Sequence, residues 1–299
     1  MAGKRAAVDV AGRRVFLTNL DKVLWPDDGY TKGDLIQYYL QMAPLMLPHL
    51  ADRPLVMTRY PDGIRGKWFY QKDLPAHAPA WVDRWTYYAA DAGRSIDFAI
   101  ASEPATLVWA ANLAAIELHP WHSRRGSPDT PDVAVFDLDP SPPALFQDCV
   151  EIAFLIRDTL ARLGLRAYPK TSGATGLHIY LPIEPCYTYE QVATAVANLA
   201  DLLHQLKPNE TTRERLVKKR IGVYIDHLQN VKGKTIVGVY GVRPRPGAPV
   251  STPVTWDELA TCVPDQFTIR TVPERIASVG DLFAPVLTDR QPLDQLLST

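Results

Sequence analysis

The apolar positions of this chain change period along its length, and those changes lay out its elements. From Thr31, a residue type that caps helix N-termini, "TKGDLIQYYLQMAPLMLPHL" sets Leu35, Tyr38, Tyr39 and Met42 three or four residues apart, which predicts a helix of three turns or more. "RPLVMTRYP" and "RSIDFAIAS" read as strands. "EPATLVWAANLAAIEL" opens with proline after an acid and continues in good helix formers, predicting a largely buried helix over residues 104–118.

After the polar loop "HSRRGSPDTP" the apolar run "DVAVFDLD" predicts a strand. "ALFQDCVEIAFLIRDTLARLG" then carries an amphipathic helical period, with Gly164 where a C-terminal cap belongs. "LRAYPKTSGATGLHIYLPI" reads as two strands across a glycine turn, and "YTYEQVATAVANLADLLHQL" as a further helix. "GVYIDHL", the turn "QNVKGK" and "TIVGVYGV" predict a hairpin. This irregular alternation, with hairpins in it, argues for an α+β fold over a doubly wound parallel sheet, with a boundary near residue 125.

Composition narrows the class without naming a chemistry. The 299 residues are 46% hydrophobic and 22% charged, which is ordinary for a globular chain. No apolar run reaches the length of a membrane span and the N-terminus lacks a signal-peptide core, so a cytoplasmic location and no membrane partner are expected. Cys149, Cys186 and Cys262 are too few and too scattered for a disulfide framework and read as reduced thiols. With 32 basic against 33 acidic side chains, any nucleic-acid surface must be a local patch, for which "RERLVKKR" at 213–220 is a candidate strip.

The charged residues inside apolar runs carry the chemistry. In "VAVFDLDPSP", Asp137 and Asp139 are two apart on a strand and share a face, while Phe136 and Leu138 point to the other. Two adjacent carboxylates stay ionised only beside a compensating cation, and hard oxygen donors suit magnesium or manganese. Phosphoryl transfer by two metals needs a further carboxylate. Asp226, at the end of "VYID", offers it if the strands are neighbours. The same aspartates are also what a plain strand-to-turn junction shows. In "KTSGATGLHIYL", Ser172, Gly173 and Gly176 form a tight turn able to bring backbone N–H groups to an anion, with His178 on the next strand; a glycine hairpin with a half-buried histidine is the bland alternative. "HPWH" could pair His119 with His122 on zinc, but no cysteine or third histidine lies nearby.

Acidic pair, Ser-Gly loop with histidine, then apolar run ending in aspartate: this order resembles motifs I, II and III of the archaeo-eukaryotic primase superfamily. The flanking "LTNLDKVLWP", "TKGDLIQYY", "RPLVMTRYPDG", "WFYQK", "IELHPWHS", "VFDLDP", "TSGATGLHIY" and "DHLQN" resemble the polymerase domain of bacterial ligase D, over residues 12 to 285. The resemblance implies one primase-polymerase domain over 1–299, with an N-terminal portion to about 125 and a motif-bearing portion from about 126. Its fold would be α+β, a primase-polymerase core with mixed β-sheets flanked by helices.

The implied activity is template-dependent nucleotidyl transfer in non-homologous end joining, at 3' ends, gaps and double-strand breaks, preferring ribonucleotides and using two Mn2+ or Mg2+ ions. By position, Asp137, Asp139 and Asp226 match the family's metal ligands. Ser172, His178, Arg220, His119, Arg59, Gln229 and Arg243 match its nucleotide contacts. Lys22 and Lys32 match the lysines that hold a downstream 5'-phosphate, and Phe69 and Tyr70 the aromatics that stack on template; by themselves these four would read as solvated lysines and core aromatics. Implied partners are gapped or broken DNA, NTP or dNTP, a separate DNA ligase and an end-binding protein. One departure stands out: Thr175 replaces a lysine that many relatives carry in the Ser-Gly loop. With no nuclease or ligase module before Thr299, the chain reads as an excised domain or a stand-alone polymerase. Two other functions fit the acidic cluster or the phosphate pocket: a metal-dependent nuclease or phosphotransferase, which needs no nucleotides, and a non-catalytic module that bridges DNA ends.

Overall fold

The structure, a computed structural model, describes residues 5–90 and 92–298. These group into two compact units, one holding residues up to 121 with 237–250 and 267–278, the other holding 122–236, 251–266 and 279 onward.

In the first unit, β1 (Arg5–Val10) and β2 (Arg13–Thr18) form a hairpin, and β3 (Val23–Trp25) pairs with β4 (Tyr30–Thr31). α1 (Lys32–Leu50) begins at the predicted cap: Thr31 Oγ1 accepts from the Asp34 N–H at 3.2 Å and Asp34 Oδ2 accepts from the Thr31 N–H at 2.7 Å. Its Leu35, Tyr39 and Met42 are buried, as the period requires. β5 (Pro54–Arg59) anchors a five-stranded antiparallel sheet with β6 (Phe69–Gln71), β7 (Arg84–Ala89) and β8 (Arg94–Ile100), completed by a strand that follows α2 (Pro104–Asn112), namely β9 (Ala115–Pro120).

That last strand corrects the helix expected over 104–118. Proline starts α2 as predicted, but Ala114 sits at φ 56, a left-handed conformation that ends the helix and turns the chain into β9. Ladder bonds to β5 then outweigh the helix propensity of "AAIEL".

In the second unit, β10 (Val133–Ser141) is the central strand, followed by α3 (Phe146–Arg162), β11 (Tyr168–Thr171), β12 (Leu177–Pro182), α4 (Tyr189–Leu206), β13 (Thr211–Thr212) and β14 (Gly222–Ile225). The sheet order is β11-β12-β10-β14-β13, antiparallel except for the parallel β13–β14 pair, so the sheet is mixed. α3 and α4 both pack against β10. Gly164 caps α3 as predicted, at φ 71, with the Leu165 N–H bonded back to the Leu160 carbonyl at 2.9 Å.

The hairpin expected from "GVYIDHL" and "TIVGVYGV" does not form. β14 stops at Ile225, His227–Asn230 makes one 3-10 turn, and β14 pairs with β10 instead. Residues 235–242 form no strand, yet Val237, Val239, Tyr240 and Val242 are buried. Within the first unit, residues 237–242 are held by individual bonds, among them the Gly238 N–H to the Leu118 carbonyl (2.9 Å), Tyr38 Oη to the Tyr240 carbonyl (2.8 Å) and the Val242 N–H to Tyr39 Oη (3.3 Å). Its apolar character serves burial, not a ladder. Among the described residues no helix is long and apolar enough to cross a membrane.

Candidate active site

The second unit's sheet sets four ionisable residues in one row, three on strands and one just past the end of β14. Lys170 on β11 pairs with His178 on β12, and His178 pairs with Asp137 on β10. The register Asp139↔Tyr224 and Leu138↔Ile225, continued by one pair, sets Asp226 opposite Asp137, and the Asp226 N–H donates to the Asp137 carbonyl at 2.8 Å. Directly opposed residues of an antiparallel pair project from the same face. Asp139, two residues from Asp137, joins them there, while Phe136 and Leu138 are fully buried on the other face. The neighbouring strands that would bring Asp226 beside the acidic pair are present.

Each carboxylate already has partners. Asp137 is buried, with Oδ1 3.4 Å from His178 Nε2. Asp139 is about half exposed and lies 3.9 Å from the Arg220 guanidinium. Asp226 Oδ1 accepts from the Leu228 N–H at 3.0 Å and Oδ2 from Gln229 Nε2 at 3.3 Å. Oxygen donors converging from β10 and the end of β14 are the right chemistry for a hard divalent ion. Among the described residues, however, no three acidic, histidine or cysteine side chains stand close enough together to hold one. The backbone arrangement suits such an ion, while both Asp226 carboxylate oxygens are engaged by the turn that the residue caps.

Arg220 is fixed by its own surroundings. It stacks on Tyr224 at 3.6 Å from the ring centre, and its Nε donates to the Glu214 carbonyl at 3.1 Å. The Ser-Gly loop is ordered by Ser172, whose Oγ accepts from the N–H groups of Ala174 and Gly176, both at 3.1 Å. The hydroxyl is therefore the loop's internal acceptor as well as a possible donor to an anion. Gly176 is required by packing: a Cβ there would lie 2.1 Å from the Leu138 carbonyl oxygen. Cys149, buried against the same strand, has its thiol pKa pushed up, by burial first and then by the nearby aspartates, and stays an unreactive thiol.

The first unit carries a polar cluster of its own on β5 and β9. Glu117 and His119 share a face of β9, and Thr58 pairs with Glu117 across the ladder. Thr58 Oγ1 lies 3.1 Å from His119 Nε2, Glu117 Oε2 lies 3.6 Å from the same nitrogen, and Arg243 Nε lies 3.2 Å from Glu117 Oε1. Burial alone would raise the Glu117 pKa, but the His119 contact, the Arg243 guanidinium and Thr58 together hold it below the usual carboxylate value. Arg59 lies over Phe69 at 5.2 Å and donates to Gln71 Oε1 at 2.7 Å. Phe69 and Tyr70 are exposed aromatics, 43% and 60%, not core.

Lys22 and Lys32 also meet within this unit, through a 2.8 Å bond from the Lys32 N–H to the Lys22 carbonyl. Lys22 pairs with Asp62 at 3.0 Å. Lys32 is buried and donates to Thr18 Oγ1 and the Asn112 carbonyl; burial, then the neighbouring Lys22 charge, lower its pKa to about 8.

Lys170, Glu117 and Thr58 were not singled out from the sequence. Glu117 and His119 repeat the two-apart spacing of the aspartates, a signal hidden by reading "AAIEL" as helix. Lys170 is recognisable only once its register with His178 is known.

The model of the LigD primase-polymerase domain matches residues 31–283. The chain belongs to this family. It is accordingly a nucleotidyltransferase of the primase-polymerase type. Two curated LigD relatives are each 34% identical: the multifunctional non-homologous end joining protein of Mycolicibacterium smegmatis, over 95% of this chain and 37% of that protein, and the bifunctional one of Bacillus subtilis, over 94% and 45%. The chain thus spans less than half the length of these LigD proteins. Among solved structures, the polymerase domain of Mycobacterium tuberculosis ligase D in complex with DNA aligns at TM-score 0.86 and 34% identity, covering 93% of this chain and 99% of that one. An α+β LigD polymerase fold is therefore shared over nearly the whole chain.

Proposed function

We propose that this primase-polymerase adds nucleotides, ribonucleotides by preference, to the 3' ends of gapped or broken DNA during non-homologous end joining. The observation that carries the proposal is the pairing of Asp226 with Asp137 beside Asp139 on one sheet face. In this reading the three aspartates hold two divalent ions, Mn2+ or Mg2+. Bound there, the ions would supply charge stabilisation for the primer hydroxyl and the leaving pyrophosphate.

The protein's own part is positioning and charge. Ser172 donates its hydroxyl hydrogen to a phosphate oxygen while the loop amides hold its lone pairs. His178 and Arg220, beside Asp137 and Asp139, offset the triphosphate's charge, and Gln229 steadies Asp226. His119, Arg59 and Arg243 contact the nucleotide. Thr175, exposed at the loop tip, leaves the triphosphate with one cation fewer than a loop lysine would give.

Lys22 and Lys32 take the 5'-phosphate across the gap, where two ammonium groups oppose a dianion. Phe69 and Tyr70 stack on template bases, worth about 1–3 kcal/mol per base. A DNA ligase activity and an end-binding protein complete the repair, in the cytoplasm.

The test is primer extension on gapped, 5'-phosphorylated DNA with Mn2+ or Mg2+ and either NTPs or dNTPs. Extension, faster with NTPs, is the expected result. Primer degradation without nucleotides would favour a nuclease, and DNA binding with no turnover an end-bridging module.

A further inference from the structure

Lys170 is the only member of the four-residue row that is fully buried and has no role in the reading above. A buried ammonium is costly unless its hydrogens are engaged, and acceptors stand within reach of Lys170. Its Nζ lies 2.6 Å from Ser251 Oγ and 2.7 Å from His178 Nδ1, with the Tyr180 ring at 5.4 Å.

With Lys170 in its charged form, the protons of this chain of contacts can be placed one by one. Ser251 Oγ donates its hydrogen to the Thr171 carbonyl at 2.7 Å, so toward Lys170 it can only accept. Lys170 as ammonium has donors and no acceptor, so toward His178 it donates as well. His178 Nδ1 is then the acceptor, and its proton must sit on Nε2, the nitrogen 3.4 Å from Asp137 Oδ1.

We propose that Lys170 is a positioning residue that fixes the tautomer and ring orientation of His178, so that an N–H, never a lone pair, faces Asp137 and the phosphates brought to it. A lone pair at that place would repel both carboxylate and phosphate oxygens. The functional part of this inference rests on the proposed nucleotide contact of His178, whereas the tautomer itself does not.

Ring 15N NMR of the nucleotide-free protein tests the tautomer directly, with His178 assigned by its loss in a His178→Gln variant. The expected wild-type spectrum shows a protonated Nε2 and a bare Nδ1 displaced by an accepted hydrogen bond. In Lys170→Met that displacement disappears. A wild-type His178 protonated at Nδ1 overturns the proposal even if Lys170→Met does not fold, as does an unchanged Nδ1 signal in a folded Lys170→Met.

A double-mutant cycle reads the consequence. Lys170→Met should lower kcat/KM for the incoming nucleotide about tenfold alone and less than about twofold in a His178→Gln background. Losses that simply add would mean that Lys170 supports the fold and does not act through His178. If the wild type extends no primer, the polymerase reading fails while the NMR signature still decides the tautomer.

Discussion

Asp226 hydrogen-bonds Asp137 through the backbone, N–H to carbonyl at 2.8 Å, although the two lie 89 positions apart in the chain. The contact makes the third carboxylate's position a property of strand pairing, independent of where its side chain points. Asp226→Asn keeps that backbone bond and an acceptor for the Leu228 N–H. It should lower primer extension by at least about 100-fold while changing stability by no more than about 0.5 kcal/mol. Extension kinetics and urea denaturation on the same preparation check both halves.

Gly176→Ala should be destabilising for a different reason. The added methyl would meet the Leu138 carbonyl oxygen at 2.1 Å, and a backbone oxygen in the middle of β10 cannot yield cheaply. A loss of about 1–3 kcal/mol is expected, read as a lowered denaturation midpoint, together with a raised KM for the nucleotide.

Lys32 gives a pH signature. Its folded pKa of about 8 lies below the unfolded 10.5, so between these values the unfolded chain holds more protons and stability rises with pH. Below pH 8 the charge is present and its burial counts against the fold. For DNA the sign is opposite: preference for a 5'-phosphorylated gap should fall as pH rises through 8, where the phosphate itself does not titrate. Fluorescence anisotropy with and without the 5'-phosphate measures this, and Lys32→Arg should flatten the curve.

Glu117→Gln should leave the Arg243 guanidinium without its carboxylate. Because Arg243 is 24% exposed, the cost should be about 1–3 kcal/mol, below that of breaking a fully buried pair. The lowered Glu117 pKa has its own sign: its stabilisation is complete above the ordinary value of 4.5 and is lost as pH falls through the folded value. The variant should therefore unfold less steeply in acid, which circular dichroism across acidic pH would record.

The aspartates and the Ser-Gly loop were legible because their strands are continuous apolar runs whose polar interruptions stand out at a spacing of two. Thr31 and Gly164 were legible as caps because single side chains or a single backbone conformation decide helix ends. What escaped was decided elsewhere in the chain. Ala114 turns α2 into β9 with no residue type to announce it, and "TIVGVYGV" has a strand's composition because it is buried, without a partner strand. The return of residues 237–250 and 267–278 to the first unit is a tertiary fact that no local window contains.

The seat of Gly176 on Leu138 also sets the terms for altering this enzyme. With residue 176 pinned to the strand that carries Asp137 and Asp139, and Ser172 tied to its amide, the loop's two ends are fixed reference points. Only Ala174 and Thr175, partly exposed and exposed, are free to vary in size and charge. Attempts to retune nucleotide selectivity should begin by placing a lysine at Thr175, and should leave both ends of the loop alone.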